Sequence, residues 1–322
     1  MMRFARLLAS AAALLAACSL AQAQGWPTKP IRAIIPFGAG SATDVVPRVV
    51  FEQLSKQLGQ PIVVENRGGA GGTIGATLAA KADPDGYTIM ATSSAFTASP
   101  ALYPNLGYDT EKDFVAIGAI GNAPNVFIIA PSRGIKTIQE FVAQAKAKPN
   151  AFSFVSLGVG SGVYISAERF RHAAGYEAIN TPFRGGAEGL TEVIAGRVDY
   201  YFCPIATALP FIREGQVLAL AVGSATRSSV LPDVPTTLEA GFPDSDYTGW
   251  YGLLAPAKTP PEIVNRLHDE LQKALRAPAV VERLSQLGVE PLHLSAPQFD
   301  ERIRREIVEI GGFLQKIGAK VN

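Results

Sequence analysis

The stretch Ile31-Arg-Ala-Ile-Ile-Pro-Phe-Gly-Ala-Gly-Ser-Ala-Thr-Asp44 limits the fold more than any other in the chain. A β-branched apolar run carried by Ile31, Ile34 and Ile35 stops at Pro36. A turn of small residues follows, and Thr43-Asp44 opens a helical pattern marked by Val45, Val46, Val49, Val50, Leu54 and Leu58. Strand, glycine-rich loop and helix start in that order leave backbone N–H groups unpaired and place the positive end of a helix dipole over the loop. The junction suits a carboxylate.

The same unit recurs along the chain. Residues 61–65 read as a strand, 66–72 as a second glycine-rich turn, 73–81 as a helix and 87–91 as a further strand. Ser93 and Ser94 stand at that strand's end, ahead of a short helix. Alternating strands and helices of this kind build a parallel sheet with right-handed crossovers. Residues 114–120 and 126–130 read as two apolar strands split by Gly121-Asn-Ala-Pro124, where the chain is expected to cross into a second unit.

A second β/α series occupies that unit. It runs through helix 138–146, strand 152–156, helix 163–172, strand 178–181, helix 187–194, strand 198–202 and a helix ending near Arg213. Residues 217–222 read as the strand that returns, and helical patterns at 262–275, 280–287 and 297–317 close the chain. The expected fold class is α/β, with two Rossmann-like lobes joined by two crossover strands and a ligand cleft between them. The expected bounds are 24–123 with 224–322 for the first lobe and 124–223 for the second. A chain of 322 residues, 48% hydrophobic and 18% charged, can fill two such cores.

Residues 1–23 read as a secretory leader: Arg3 and Arg6 precede an apolar run, and Ala21-Gln-Ala23 is a small-x-small cleavage site. Leu15-Ala-Ala-Cys18 is a rival signal, a lipoprotein box that would leave Cys18 lipidated; cleavage after Ala23 is preferred. A periplasmic protein follows from either. Cys203 is then the remaining cysteine, so no internal disulfide forms, and its neighbours Tyr200-Tyr-Phe point to a buried thiol. The formal charge of +1, or −1 once Arg3 and Arg6 leave with the leader, gives no electrostatic reason to expect nucleic acid.

Four loops, 37–43, 93–97, 158–162 and 183–186, lie between a strand's C-terminal end and a helix start, where open α/β sheets bind ligands. Any one of them reads as an ordinary turn; four equivalent junctions, two in each lobe, point to a site between the lobes. The candidate ligand-binding residues are Phe37, Gly38, Ala39, Gly40, Ser41, Ala42, Asp44, Ser93, Ser94, Gly160, Ser161, Tyr164, Phe183, Arg184, Gly185, Gly186 and Cys203. Asp44 reads first as a helix cap, since a carboxylate repels an anion. Arg184 fits either a ligand partner or a solvated side chain, and Ser161 either a ligand donor or an N-cap. Aromatic residues near strand ends read as core ahead of pocket wall.

Enzyme signatures fail. The dinucleotide pattern Gly-x-Gly-x-x-Gly breaks at Thr43, Ile74 and Val163, and no Gly-Lys-Ser/Thr follows a loop. Ser161 lacks the glycine two residues before it that a nucleophile elbow needs. His172, His268 and His293 lie away from all four loops and read as surface or packing residues, and no metal-ligand spacing occurs. No cofactor, metal or catalytic residue is expected. Binding needs none: micromolar affinity is about 8 kcal/mol, while a helix N-terminus supplies ~0.3–1 and a charge-assisted hydrogen bond about 1.5–3. Several such contacts reach that range.

The chain resembles the Bug/TctC family, periplasmic solute receptors of tripartite tricarboxylate transporters. The resemblance rests on Trp26-Pro-Thr-Lys-Pro-Ile, Pro36-Phe-Gly-Ala-Gly-Ser-Ala-Thr-Asp44, Val64-Glu-Asn-Arg-Gly-Gly-Ala-Gly-Gly72 and Pro84-Asp-Gly-Tyr87. Pro182-Phe-Arg-Gly-Gly-Ala187, Leu231-Pro-Asp-Val-Pro-Thr236 and Gly252-Leu-Leu-Ala-Pro-Ala257 extend it over the mature length. It implies a type II periplasmic-binding-protein fold closing on a small carboxylic acid, whose carboxylate the first loop holds through backbone amides and ordered waters. It also implies membrane permease subunits as partners; a monomer is expected. A receptor for another permease or a sensor kinase, or a periplasmic enzyme on the same fold, are the alternatives.

Three departures bear on the ligand. Tyr164 stands where the family often has His, Cys203-Pro204 where many members have Asp-Asn, and Glu188 where a proline is common. Without a carboxylate at Cys203 an ammonium group loses a partner, and Tyr164 adds an amphipathic wall. These changes predict an un-aminated mono- or dicarboxylate, aromatic acids included, in place of an amino acid.

Overall fold

The computed structural model describes residues 25–321, so the expected leader, with Arg3, Arg6, Cys18 and the cleavage site after Ala23, lies outside the described residues. Strand β1 (Ile31–Ile35) pairs in parallel with β2 (Ile62–Asn66) and with β3 (Thr88–Ser93). Helix α1 (Ala42–Leu58) makes the first crossover, burying Val46, Val49, Val50, Leu54 and Leu58, and ends at Gly59 in the left-handed conformation. Helices α2 (Thr73–Ala80) and α3 (Ala95–Leu102) follow β2 and β3.

The two expected strands at 114–130 form one, β4 (Phe114–Ile129). Its first part pairs antiparallel with β9 (Thr248–Pro256), as far as Pro124 opposite Thr248. From Asn125 onward it pairs with β7 (Tyr201–Pro204) and β8 (Leu218–Val222). Pro124 therefore sits where the ladder changes partners, a place that tolerates a residue with no N–H to donate. β4 is thus shared by both sheets, and β8 stays with its second half. The strand that brings the chain back beside β3 is β9, buried along nearly its whole length.

The second lobe adds α4 (Ile138–Ala147), β5 (Ser153–Ser156), α5 (Gly162–Ala174), β6 (Ile179–Pro182), α6 (Gly186–Ile194) and α7 (Ile205–Arg213). β5 and β6 pair in parallel, and a bridge from Phe154 to Tyr200 joins them to the β7 side of the sheet. Helices α8 (Pro261–Ala274), α9 (Pro278–Gln286) and α10 (Ala296–Lys316) complete the chain, α10 opening with a capping box between Ser295 and Gln298. Ile310 and Leu314 of α10 join Ala98 and Leu102 of α3 in the same buried cluster as the second-lobe rings Phe127, Phe141, Phe170 and Tyr200. The lobes are packed together along these two helices.

No helix among the described residues is long and apolar enough to cross a membrane.

Candidate functional site

A cleft of about 690 Å³ opens between strand ends of the two lobes. One wall is the loop from Phe37 to Ser41, the turn from Gly68 to Gly72, and Tyr103. The facing wall is Leu157 to Val159 and Pro182 to Ala187, with Val321 at the edge. A second space of about 60 Å³ lies beside it, lined by Phe37, Ser41, Ala42, Ser93, Ser94, Ser161 and Tyr247 among others. Phe37, Ser41 and Leu157 line both.

The first loop is held open by its own residues. Gly40 takes a φ of +77°, a conformation costly for any residue with a Cβ. Its N–H donates to Asp44 Oδ2 at 2.9 Å, while Asp44 Oδ1 accepts from Arg48 Nε at 2.8 Å and Asn66 Nδ2 at 2.9 Å. Burial works against the Asp44 charge, but the hydrogen bonds from Asn66, Gly40 and Arg48 prevail and keep its carboxyl below the ordinary range. Asp44 therefore braces the loop from the first turn of α1, whose N-cap position is Ser41, and lines neither space. At the start of α1, Ser41 makes no side-chain cap bond, and its Oγ is buried without a partner. The Ala42 and Thr43 amides, the first of the helix, have no intrahelical acceptor.

Across the cleft, α6 begins at Gly186 behind Gly185, again without a side-chain cap. Arg184 is the one charged residue among the described lining residues of the cleft, and Phe183 lies beside it. The cleft thus has two uncapped helix starts on opposite walls and, among its described lining residues, one cation and no carboxylate, an arrangement suited to an anion.

Several expected contacts lie elsewhere. The Ser161 hydroxyl donates to Gly158 O at 2.7 Å and accepts from Leu157 N and Tyr164 N, both at 3.3 Å, so it is committed to capping α5. Ser94 Oγ accepts from Tyr247 OH at 2.8 Å, and Ser93 and Ser94 line only the smaller space, as does Ala42. Gly160 lines neither: a Cβ there would lie 2.1 Å from Leu102 Cδ1, so this glycine admits α3 against the second lobe.

Tyr164 and Cys203 also line neither space. Tyr164 is buried against Phe154 and Ala167 of the aromatic core, and desolvation lifts its hydroxyl to about 12. Cys203 is fully buried opposite Val126, its thiol pushed well up by burial. The expectation that these two departures face the ligand is thus corrected by their packing. Sequence reasoning in turn left out Gly68 to Gly72 and Tyr103 as wall residues. The signal was present, since that turn also joins a strand end to a helix start. No cluster of His, Cys, Asp or Glu among the described residues could hold a metal ion.

Residues 46–319 match the family described as tripartite tricarboxylate transporter family receptor, TctC. The chain is 33% identical to Protein BugT of Bordetella pertussis over 99% of its own length and 100% of that protein. Among solved structures it is similar to Rpa4515 of R. palustris with adipate, at 29% identity and a TM-score of 0.88, covering 92% of this chain and 100% of that one. It is also similar to MatC (Rpa3494) of Rhodopseudomonas palustris with bound malate, at 32% identity and a TM-score of 0.84, covering 89% and 99%. These likenesses carry the type II periplasmic-binding-protein fold with its two lobes. The chain belongs to the tripartite tricarboxylate transporter receptor family, TctC.

Proposed function

We propose that this receptor captures a small un-aminated mono- or dicarboxylic acid in the periplasm, between its lobes, and delivers it to the membrane subunits of a tripartite tricarboxylate transporter. The observation that carries the reading is the cleft's charge pattern: Arg184 is the single charged residue among the described lining residues, and the starts of α1 and α6 lie on the two walls with no side-chain caps. A carboxylate there meets N–H groups and a guanidinium. An ammonium group would meet no anionic partner among the described lining residues, so amino acids are disfavoured. Adipate and malate, bound by two similar proteins, are acids of this class.

A thermal-shift screen tests the reading. A ligand that binds only the folded state adds about 2.7 kcal/mol at one hundred times its Kd, so succinate, malate, adipate or benzoate should raise Tm by several degrees. Aspartate and glutamate should not. A shift confined to the amino acids would refute the proposal.

A further inference from the structure

Eight buried polar side-chain atoms among the described residues make no hydrogen bond of good geometry, and one of them lies behind the second-lobe wall of the cleft. It is the hydroxyl of Tyr201, a residue that lines neither space itself but stands directly behind Gly186, which does. The residue sits in β7, fully buried, with its ring in the cluster that contains Val155, Leu190 and Val193. Leu190 and Val193 belong to α6, so the ring lies under that helix. The hydroxyl reaches the helix's first residue: a Cβ built on Gly186 would stand 3.2 Å from it. With no Cβ at Gly186, nothing on that residue comes between the phenol and the uncapped turn. The Cys203 thiol beside Tyr201 is a weak hydrogen-bond partner. Native proteins seldom leave a buried hydroxyl unsatisfied, and where they do, an absent partner is the first explanation to consider.

The geometry points to Tyr201 as a specificity-determining residue, whose hydroxyl donates to a ligand acceptor oxygen held at the first turn of α6 together with the Gly186 and Ala187 amides and Arg184. This rests on the carboxylate reading above and narrows it. An acid gripped by one end at α1 leaves the α6 turn empty. An acid with a second carboxylate at its far end fills that turn and gives Tyr201 its partner. The site therefore favours an α,ω-diacid over the monoacid of equal length. Burial holds the phenol well above its ordinary pKa, so it stays a neutral donor and presents no negative charge to the ligand.

The test is titration calorimetry on the wild type, Tyr201→Phe and Gly186→Ala. The probes are the linear diacids from succinate to suberate and the unbranched monoacids of matching length. Tyr201→Phe removes one oxygen and keeps the ring, so it should weaken the best diacid roughly tenfold, the worth of one hydrogen bond to a charged group. Its monoacid affinity should stay unchanged. Gly186→Ala, which inserts a methyl against the hydroxyl, should lower the diacid-to-monoacid ratio as well, and it reads the same ratio should Tyr201→Phe fail to fold. A variant that keeps the wild-type ratio, or loses both ligands equally, overturns the role of Tyr201 and leaves the carboxylate reading standing. A wild type that binds none of these acids overturns both.

Discussion

Asp44 closes a small ring onto Gly40, accepting its N–H at 2.9 Å four residues back along the chain. The bond explains how a loop of small residues keeps one shape. A carboxylate can stand in the first turn of a helix that opens onto the cleft because its charge is answered by Arg48 at 2.8 Å and Asn66 at 2.9 Å. The Asp44→Ala variant leaves these donors unpaired and should lose about 1–3 kcal/mol of stability in urea denaturation. Ligand affinity should fall with it, because the loop no longer holds its conformation.

The same carboxyl carries a pH signature. Its folded-state pKa is depressed, so its contribution to stability is complete above the unfolded value of about 3.9 and is lost as pH falls through the lower folded value. The stability gap between wild type and Asp44→Asn should be constant above about pH 5 and shrink below roughly pH 4. A gap that held steady down to the acid transition would show that Asp44 is not the titrating group.

How far the sequence reaches is visible in this loop. Gly40, Asp44 and the apolar face of α1 act locally, and local signals survive in the order of residues; the strand, the turn and the first-turn place of Asp44 all stand in the structure. Strand β9 left no such trace. It is buried on both faces and broken by Gly249 and Gly252, so it shows no alternation to read. Tyr164 failed for a related reason. Every residue from Val163 to Glu168 is buried, so α5 has no polar face in this stretch to tell which side meets the cleft. The turn from Gly68 to Gly72 carries the local signal, a strand end running into a helix start, but its place opposite the second lobe comes from tertiary approach, which spacing along the chain does not encode.

Arg184 should govern affinity and leave the fold alone. It is exposed at the cleft wall, so Arg184→Gln should change stability by no more than about 0.5 kcal/mol. Losing a charge-assisted bond of about 1.5–3 kcal/mol should weaken diacid binding some ten- to hundred-fold. Salt should weaken the wild type more than the variant. Equal affinities in calorimetry would remove Arg184 from the site.

Gly160 should report on how the lobes pack. Its φ of +84° strains any side chain, and its Cβ would lie 2.1 Å from Leu102 Cδ1 on α3. Gly160→Ala should therefore cost about 2 kcal/mol or more, from overpacking and left-handed strain together. Leu102→Ala should cost less in the Gly160→Ala background than in the wild type, since shortening Leu102 relieves the clash. Strict additivity in the double-mutant cycle would mean that the two residues do not meet in solution.

Two serines of similar sequence setting should behave oppositely. Ser161 caps α5, with its hydroxyl bonded to Gly158 O, Leu157 N and Tyr164 N. Ser161→Ala should lose about 1 kcal/mol of stability and leave ligand selectivity as it was. Ser41 also precedes a helix and lines both spaces, yet its hydroxyl is buried without a partner. Removing an unsatisfied hydroxyl relieves a desolvation cost, so Ser41→Ala should match or exceed the wild type in Tm. On the proposed carboxylate reading that same hydroxyl would be a neutral donor beside the Ala42 and Thr43 amides, so the variant should bind the acid several-fold more weakly. Paired denaturation and calorimetry on the two variants separate the roles: if Ser41→Ala lost stability and kept affinity, the first helix start would be a plain cap and the carboxylate would have to sit elsewhere.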